Sequence, residues 1–236
     1  MSEKPDARKL VLDLMKERTE RDQQIKVGAS NYSQLCAFCL AEALTATAPG
    51  AQGKWWMGSW NGTATHLYLE ERAKQLRPTW ETEQKVVMGV LPGYGTIKST
   101  TDLYIPELLL CGDYKTTTKD KLKSIKWVLT HPASEFEVSV LSEARYKVDG
   151  YLNQLMSYAR GLILAGKPVE WVALMFVCRD GKEDADVWGH TVAYDPEQAE
   201  KVWSRLERLW EWLQEGNDRE TLPQHPSCYT CSHRED

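Results

Sequence analysis

The chain of 236 residues carries a formal net charge of −5, with 42% hydrophobic and 27% charged residues. This composition supports a substantial core and predicts one domain, or one domain with an appendage. The net negative charge argues against a protein that coats nucleic acid through overall basicity. No apolar run approaches the roughly 18 residues of a membrane span, and the polar start is not a signal peptide. We therefore expect a cytoplasmic protein that contacts no membrane.

Hydrophobic spacing predicts two helices in the first part of the chain. Residues 4–24 are rich in charge and carry a loose apolar stripe, typical of an amphipathic helix that packs on the body of the domain. We assign residues 1–27 to this N-terminal segment. A second helix is predicted to follow Gly28, with Ser30 or Ser33 as its N-cap.

A third helix is predicted from Gly62 to the residue before Pro78, because the residue that precedes a proline disfavours helical geometry. Helical spacing places Leu69, Ala73 and Leu76 on its buried side. The stretch that follows, residues 82–90, is predicted as a strand.

The most distinctive stretch is a predicted hairpin of two strands between Thr100 and Thr116. Its turn is expected at Ile105-Pro106-Glu107, because proline interrupts a strand ladder and suits turns. The apolar run from Leu108 to Leu110 is typical of a strand that is buried on both faces.

Two acidic residues and a lysine interrupt this apolar hairpin. Alternate side chains share one face of a strand, so Asp113 and Lys115 are expected to point the same way. Asp102 can lie opposite them on the neighbouring strand. Two carboxylates beside an ammonium group suit a divalent metal ion and a phosphate. The sequence therefore predicts a site for both at this hairpin.

A lysine-rich segment follows directly. Residues 115–126 hold five lysines and one aspartate, a local charge of +4 in a chain of −5. Such a run is usually a solvated face. Because it adjoins the predicted metal site, we expect Lys119, Lys121 and Lys123 to contact a phosphate backbone.

The remainder of the chain alternates helices and strands. Residues 149–165 predict a helix that stops at Gly166. An apolar strand at 169–177 and a partner at 187–194 predict a second hairpin. A last helix begins at Asp195-Pro196, where proline suits the first helical position. This order of elements predicts an α/β fold.

Two Cys-x-x-Cys pairs lie near the two ends of the chain, Cys36 with Cys39 and Cys228 with Cys231. Disulfides are rare in the cytosol, so the spacing of these cysteines indicates metal ligation more than cross-linking. Four thiolates suit a tetrahedral zinc ion or an iron–sulfur cluster equally well. The alternative is four unligated cysteines with one redox-active pair, which the wide separation of the pairs disfavours.

The chemistry-bearing residues form an ordered set that is more specific than any member. Its parts are Gly62-x-x-x-His66, Asp102, Gly112-Asp113-Tyr114-Lys115-Thr116 and Gln154-x-x-x-Tyr158. This set resembles the RecB-like exonuclease branch of the PD-(D/E)XK nucleases. With the terminal cysteines added, the chain resembles the CRISPR-associated iron–sulfur exonucleases and their phage relatives, over about residues 28–236.

The resemblance implies a fold and a set of roles. The fold would be a restriction-endonuclease-like core with a central mixed β-sheet flanked by helices, plus the N-terminal helix and a cysteine-ligated metal centre that joins the chain ends. The side chains implied to bind Mg²⁺ or Mn²⁺ are His66, Asp102 and Asp113. Lys115 would orient or activate the attacking water and offset developing negative charge. Gln154 and Tyr158 would support the site and contact DNA.

The implied activity is that of a metal-dependent DNA exonuclease acting on single-stranded ends in recombination, repair or phage DNA metabolism. Recombination or replication proteins would be its further partners. The alternative function is a non-catalytic DNA-binding or adaptor subunit stabilised by a four-cysteine metal site, which the intact set of acids and lysine argues against. For the cysteines, the resemblance implies a 4Fe–4S cluster. Their two-and-two spacing departs from the family's one-and-three pattern, so zinc stays open.

Overall fold

The computed structural model describes residues 26–46, 57–131 and 139–232, with only the backbone at 57–59 and 139–141. The helix predicted for residues 4–24 lies outside the described residues. The helices are α1 (Ala29–Tyr32), α2 (Ala37–Thr45), α3 (Met57–Leu76), α4 (Lys119–Thr130), α5 (Ser139–Leu164), α6 (Pro196–Gln214) and α7 (Tyr229–Ser232). The strands are β1 (Glu81–Leu91), β2 (Gly95–Ile105), β3 (Leu110–Thr117), β4 (Trp171–Cys178) and β5 (Val187–Ala193). Of the described helices, none has the length and apolar character to cross a membrane.

The strands form one mixed sheet in the order β1-β2-β3-β4-β5. Strands β3 and β4 run parallel, and the other neighbouring pairs run antiparallel. A parallel pair needs a long crossover connection, which α4 and α5 supply between β3 and β4. The predicted α/β fold with a central mixed sheet flanked by helices is therefore confirmed.

The central hairpin has the predicted turn, but its apolar run was only partly interpreted correctly. A 3₁₀ turn occupies Pro106–Leu108, and Leu109 follows in the left-handed conformation. Leu108 is 55% exposed because it belongs to this turn, so its predicted place in a buried strand is wrong. Leu109 and Leu110 are only half-buried. Burial on both faces begins after the predicted run and extends from Cys111 to Tyr114.

The single helix predicted after Gly28 was wrong, because the chain forms two shorter helices there. Gly28 is the N-cap of α1, and Ser33 is its C-cap. Cys36 then adopts an extended conformation and serves as the N-cap of α2. The break between the two helices therefore places a cysteine at the start of α2.

Helix α3 begins five residues before the predicted start at Gly62 and ends before Pro78. Ala73 is buried and Leu69 is half-buried, in agreement with the predicted stripe. Leu76 is 54% exposed because it lies at the last position of the helix, beyond its buried face. Its predicted burial was wrong.

Helix α5 packs closely on the sheet and is longer at its N-terminus than predicted. Leu155, Ala159 and Leu162 are fully buried, as their helical spacing predicts, whereas Ile163, which the same predicted stripe includes, is 40% exposed. Gly161 permits the close approach, because a Cβ atom there would lie 2.8 Å from the side chains of Met88 and Val86 on β1. This packing holds the C-terminal part of α5 against β1.

The second hairpin and the last helix agree with the prediction. β4 and β5 pair antiparallel from Trp171–Ala193 to Val177–Val187. The Asp195 carboxylate accepts hydrogen bonds from the first-turn N–H groups of α6, at 2.9 and 3.0 Å. Such capping satisfies donors that a helix leaves unpaired.

Candidate functional site

The acidic residues of the central hairpin lie where the ladder between β2 and β3 stops. The two strands pair over three positions, the last of which is Leu103 with Gly112. Asp102 and Asp113 are the next residue on each strand. The Tyr114 N–H then donates to Asp102 Oδ2 at 2.8 Å, so a side chain takes the place of a ladder carbonyl. Both carboxylates are buried, with Asp102 8% and Asp113 1% exposed.

Helix α3 brings His66 to this point. His66 Nδ1 lies 3.4 Å from Asp102 Oδ2, and its ring packs edge-on against Tyr114 with centroids 5.9 Å apart. Gly62 lies one turn earlier, where a Cβ atom would come within 3.3 Å of Thr116 Oγ1. A glycine at this position lets α3 pass close to β3, which places the imidazole beside the carboxylate.

Lys115 is held between two acceptors. Its Nζ lies 2.7 Å from Asp113 Oδ2 and 3.0 Å from Gln154 Oε1. The Gln154 Nε2 donates to the Tyr158 hydroxyl at 2.6 Å, which fixes the orientation of the amide. Predicted residues from α3, β2, β3 and α5 are thus brought together at one place.

Sequence reasoning missed Tyr151, which also faces the lysine. Its ring centroid lies 4.9 Å from Lys115 Nζ, a distance at which a cation is attracted to an aromatic face. Tyr151 is three residues before Gln154 and seven before Tyr158, so all three share one face of α5. That helical spacing is the signal that could have identified it.

Burial and neighbouring charges give the Asp102 and Asp113 carboxyl groups different pKa values. Burial raises the pKa of Asp113 to about 6, although Lys115 opposes the rise. Burial also acts to raise the pKa of Asp102, but the His66 hydrogen bond and charge and the Tyr114 N–H outweigh it, and the pKa lies below its ordinary value. Burial acts to lower the pKa of His66, yet Asp102 raises it overall. Titratable groups whose pKa values are shifted by burial and by specific charged partners, as in Asp102, Asp113 and His66, are typical of functional sites.

These donors suit a hard divalent cation. The two carboxylates and one imidazole offer oxygen and nitrogen ligands from three separate elements, close to a positively charged lysine. Oxygen-rich ligand sets favour Mg²⁺ or Mn²⁺ over soft metals. The Lys115 ammonium lies 2.7 Å from one of these carboxylates, so the site holds a positive charge beside its acidic groups.

The predicted DNA-contacting lysines lie apart from this cluster, on α4. Leu122, Ile125 and Val128 form the buried face of the helix. The lysine side chains lie on its remaining surface. Lys119 Nζ pairs with Asp186 at 2.7 Å, Lys123 Nζ lies 3.3 Å from Asp120, and Lys121 is exposed.

The four predicted cysteines come together at a second site. Cys36 and Cys39 start α2, while Cys228 and Cys231 lie at α7. Their sulfur atoms all lie within 4.8 Å of one another, and all four are free thiols. A cysteine cluster at metal-binding distance therefore joins the two ends of the described chain.

Neighbouring groups make these thiols unequal. Burial raises the pKa of Cys231 to about 11. Burial acts in the same direction on Cys228, but the Cys231 N–H and the Tyr146 hydroxyl outweigh it and hold its pKa at about 7. The Tyr146 ring packs against His225, with centroids 4.4 Å apart. Neither aromatic residue was singled out from the sequence.

The fold matches solved structures of exonucleases. A putative exonuclease from Eubacterium rectale matches with a TM-score of 0.53 at 14% identity, over 93% of this chain and 94% of that one. LHK-Exo, an alkaline exonuclease from Laribacter hongkongensis solved in complex with dAMP, matches with a TM-score of 0.52 at 13% identity, over 84% and 94%. No family model and no curated protein matches the sequence. The chain therefore shares its fold with these solved exonucleases, in agreement with the nuclease resemblance that the ordered motifs carry.

Proposed function

We propose that this protein is a metal-dependent DNA exonuclease that hydrolyses phosphodiester bonds at single-stranded ends. The observation that carries the proposal is the convergence of Asp102, Asp113 and Lys115 at the end of the β2–β3 ladder. The exonuclease fold supports the same reaction class. Recombination, repair or phage DNA metabolism is the setting we propose for it.

In this proposal the carboxylates of Asp102 and Asp113 and the imidazole of His66 hold Mg²⁺ or Mn²⁺. When bound, such an ion polarises the phosphodiester and makes water a better nucleophile. The two carboxylates come from adjacent strands, so the sheet fixes their separation before any ion arrives. His66 approaches from α3 and supplies a ligand that neither strand provides.

Lys115 is proposed to act on the phosphate and the attacking water. In hydrolysis, the oxygen of water forms a bond to phosphorus, and the bond between phosphorus and one sugar oxygen breaks. The leaving oxygen takes one proton and solvent takes the other. The Lys115 ammonium directs two of its three N–H donors at Asp113 and Gln154, so the third can donate to a phosphate oxygen. A preorganised donor of this kind stabilises the charge that develops in the transition state.

Gln154 and Tyr158 are proposed to keep the lysine in place. The Gln154 carbonyl accepts from Lys115, while its amide donates to the Tyr158 hydroxyl, and both residues are buried. A chain of buried hydrogen bonds restricts the lysine to one rotamer. We propose that Lys119, Lys121 and Lys123 contact the DNA backbone outside this pocket.

The substrate class can be tested with end-labelled DNA. We expect short labelled products from linear single-stranded DNA with Mg²⁺ or Mn²⁺, slower release from blunt duplexes, and intact circular single strands. Cleavage of circles would contradict an exonuclease. DNA binding that ignores divalent metal, with no cleavage of any substrate, would instead indicate a non-catalytic adaptor.

A further inference from the structure

The four cysteine sulfurs lie as close together as thiolates that share one ion. Cys36 Sγ is 3.6 Å from Cys231 Sγ, and Cys39 Sγ is 3.6 Å from Cys228 Sγ. A third contact, between Cys39 and Cys231, is 3.3 Å. All of these contacts run between the two Cys-x-x-Cys pairs.

A single tetrahedral ion predicts nearly this spacing. With metal–sulfur bonds of about 2.3 Å, neighbouring sulfurs of a tetrahedron are about 3.8 Å apart. The observed contacts lie just below that value, and no two sulfurs exceed 4.8 Å. Small side-chain movements, outward for the close pairs of sulfurs and inward for the wider ones, would complete the tetrahedron.

A four-iron cluster does not fit the same sulfur positions. Each cysteine would bind a different iron at a corner of a cube, which separates the sulfurs to roughly 6 Å. A two-iron cluster does not fit either. Two thiolates would bind each iron, and the cluster would separate one pair of thiolates from the other. The pairs of this chain instead contact each other directly.

We propose that the cysteine centre binds one Zn²⁺ ion through Cys36, Cys39, Cys228 and Cys231. Zinc suits four thiolates in a tetrahedron, and among the divalent metals it binds such sites more tightly than Fe²⁺. This proposal does not depend on the nuclease activity. It replaces the cluster that the family resemblance implied.

The surroundings match a structural site. Four protein ligands leave no open position for substrate, which is typical of zinc ions that hold folds together. The Arg205 guanidinium of α6 donates to the carbonyl of Tyr32 at 2.6 Å and also to that of Gln34. These bonds fix the short segment that leads into Cys36, as outer-shell contacts commonly orient metal ligands. The ion would join α2 to the C-terminal segment.

The test is the metal content of the full, untagged chain, purified without oxygen from cells supplied with both iron and zinc. We expect one zinc per chain, no acid-labile sulfide and no visible absorbance. Four irons with four sulfides and a brown colour would overturn the proposal. A single iron per chain would also overturn it, as would protein that contains no metal.

Two further measurements separate metal loss from misfolding. Replacement of zinc by Co²⁺ in the wild-type chain should give the intense visible bands of a tetrahedral four-thiolate site, and weak octahedral bands would contradict it. Cys231→Ser should lower zinc affinity at least tenfold. Cys178→Ser, at a cysteine outside the cluster, should keep one zinc per chain.

Discussion

The acidic site and the cysteine centre both gather metal ligands, but over very different distances along the chain. Asp113 and Lys115 are two residues apart in one strand, and Tyr114 reaches Asp102 across 12 positions. The cysteine contacts join residues 189 to 195 positions apart. The first site follows from the register of a hairpin, whereas the second requires the chain ends to meet. We therefore expect the acidic site to set the rate and the cysteine centre to set the stability.

The two sites also differ in how their charges are balanced. Asp113 is compensated by Lys115 and Asp102 by His66, so the acidic site has partners within the protein. The cysteine thiols mainly face one another, and a metal ion would supply their positive charge. Loss of metal should therefore affect the two sites unequally.

The largest expected effect is on stability. Cys231→Ser should lower the free energy of unfolding by roughly 3–5 kcal/mol, because metal binding is coupled to folding. Below its melting transition the variant should keep most of its nuclease rate per folded molecule. Chemical denaturation and cleavage assays on one preparation measure both. If Cys231→Ser were as stable as wild type but did not cleave, the cysteine centre would set the rate and not the stability, contrary to expectation.

The next effect is on catalysis. Lys115→Met should reduce single-turnover cleavage by roughly 10²–10³-fold, the usual cost of removing a preorganised donor. Melting should also fall, because Asp113 loses the ammonium that compensates its buried carboxylate, so cleavage is compared per folded molecule. Lys201→Met on α6 is the matched control and should cleave at the wild-type rate. Equal rates in the two variants would contradict the assigned role of Lys115.

A smaller effect concerns pH and the metal-free acidic site. The pKa of Asp113 is about 6 when folded, above its ordinary 3.8, so the folded state binds more protons between these values. Stability must then fall as pH rises through this window. Asparagine does not titrate, so Asp113→Asn does not lose stability in this way. Its free energy of unfolding relative to wild type should therefore rise between pH 4 and 7, by at most about 3 kcal/mol. Urea titrations without added Mg²⁺ or Mn²⁺ measure it, and a constant difference would refute it.

Tyr151 should contribute less. Tyr151→Leu removes the ring near Lys115 and should lower kcat roughly three- to tenfold, the scale of a partly buried cation–π contact. Tyr151→Phe keeps the ring and should remain close to wild type. If both variants lose the same activity, the hydroxyl is what matters. A change confined to KM would point to substrate contact.

The smallest effect should come from α4. Replacing Lys121 and Lys123 with Gln should weaken single-stranded DNA binding and reduce its salt dependence by about 0.7 in slope per lost phosphate contact. The rate at saturating DNA should not change. Lys201→Gln serves as the control for a lost surface charge. An unchanged slope would mean that the α4 lysines are a solvated face.

Sequence patterns predicted the residues whose relations are local. The alternation in β3 placed Asp113 and Lys115 on one face, and the hairpin placed Asp102 opposite them. His66 was found only through the resemblance, because its contact depends on how closely α3 passes β3. The end of the β2–β3 ladder was not foreseeable, since it depends on the bond from Tyr114 N–H to a side chain.

The failures of prediction have similar causes. Leu108 was read as strand because apolar composition does not reveal that a 3₁₀ turn extends past Pro106. The break before Cys36 was missed because apolar spacing continues through it. Tyr151 was overlooked because its role depends on contact with Lys115, which lies 36 positions earlier in the chain. Its helical spacing relative to Gln154 and Tyr158 was nevertheless visible in the sequence.

Comparison of Asp113→Asn with Asp184→Asn tests whether the hairpin carboxylate is needed for nuclease activity. Asp184 lies in the exposed turn between β4 and β5, so its variant controls for the loss of one carboxylate. Both would be assayed for Mn²⁺-dependent cleavage of end-labelled single-stranded DNA. We expect Asp184→Asn to cleave like wild type and Asp113→Asn to release no metal-dependent product. Equal cleavage by the two variants would contradict a nuclease site at the hairpin.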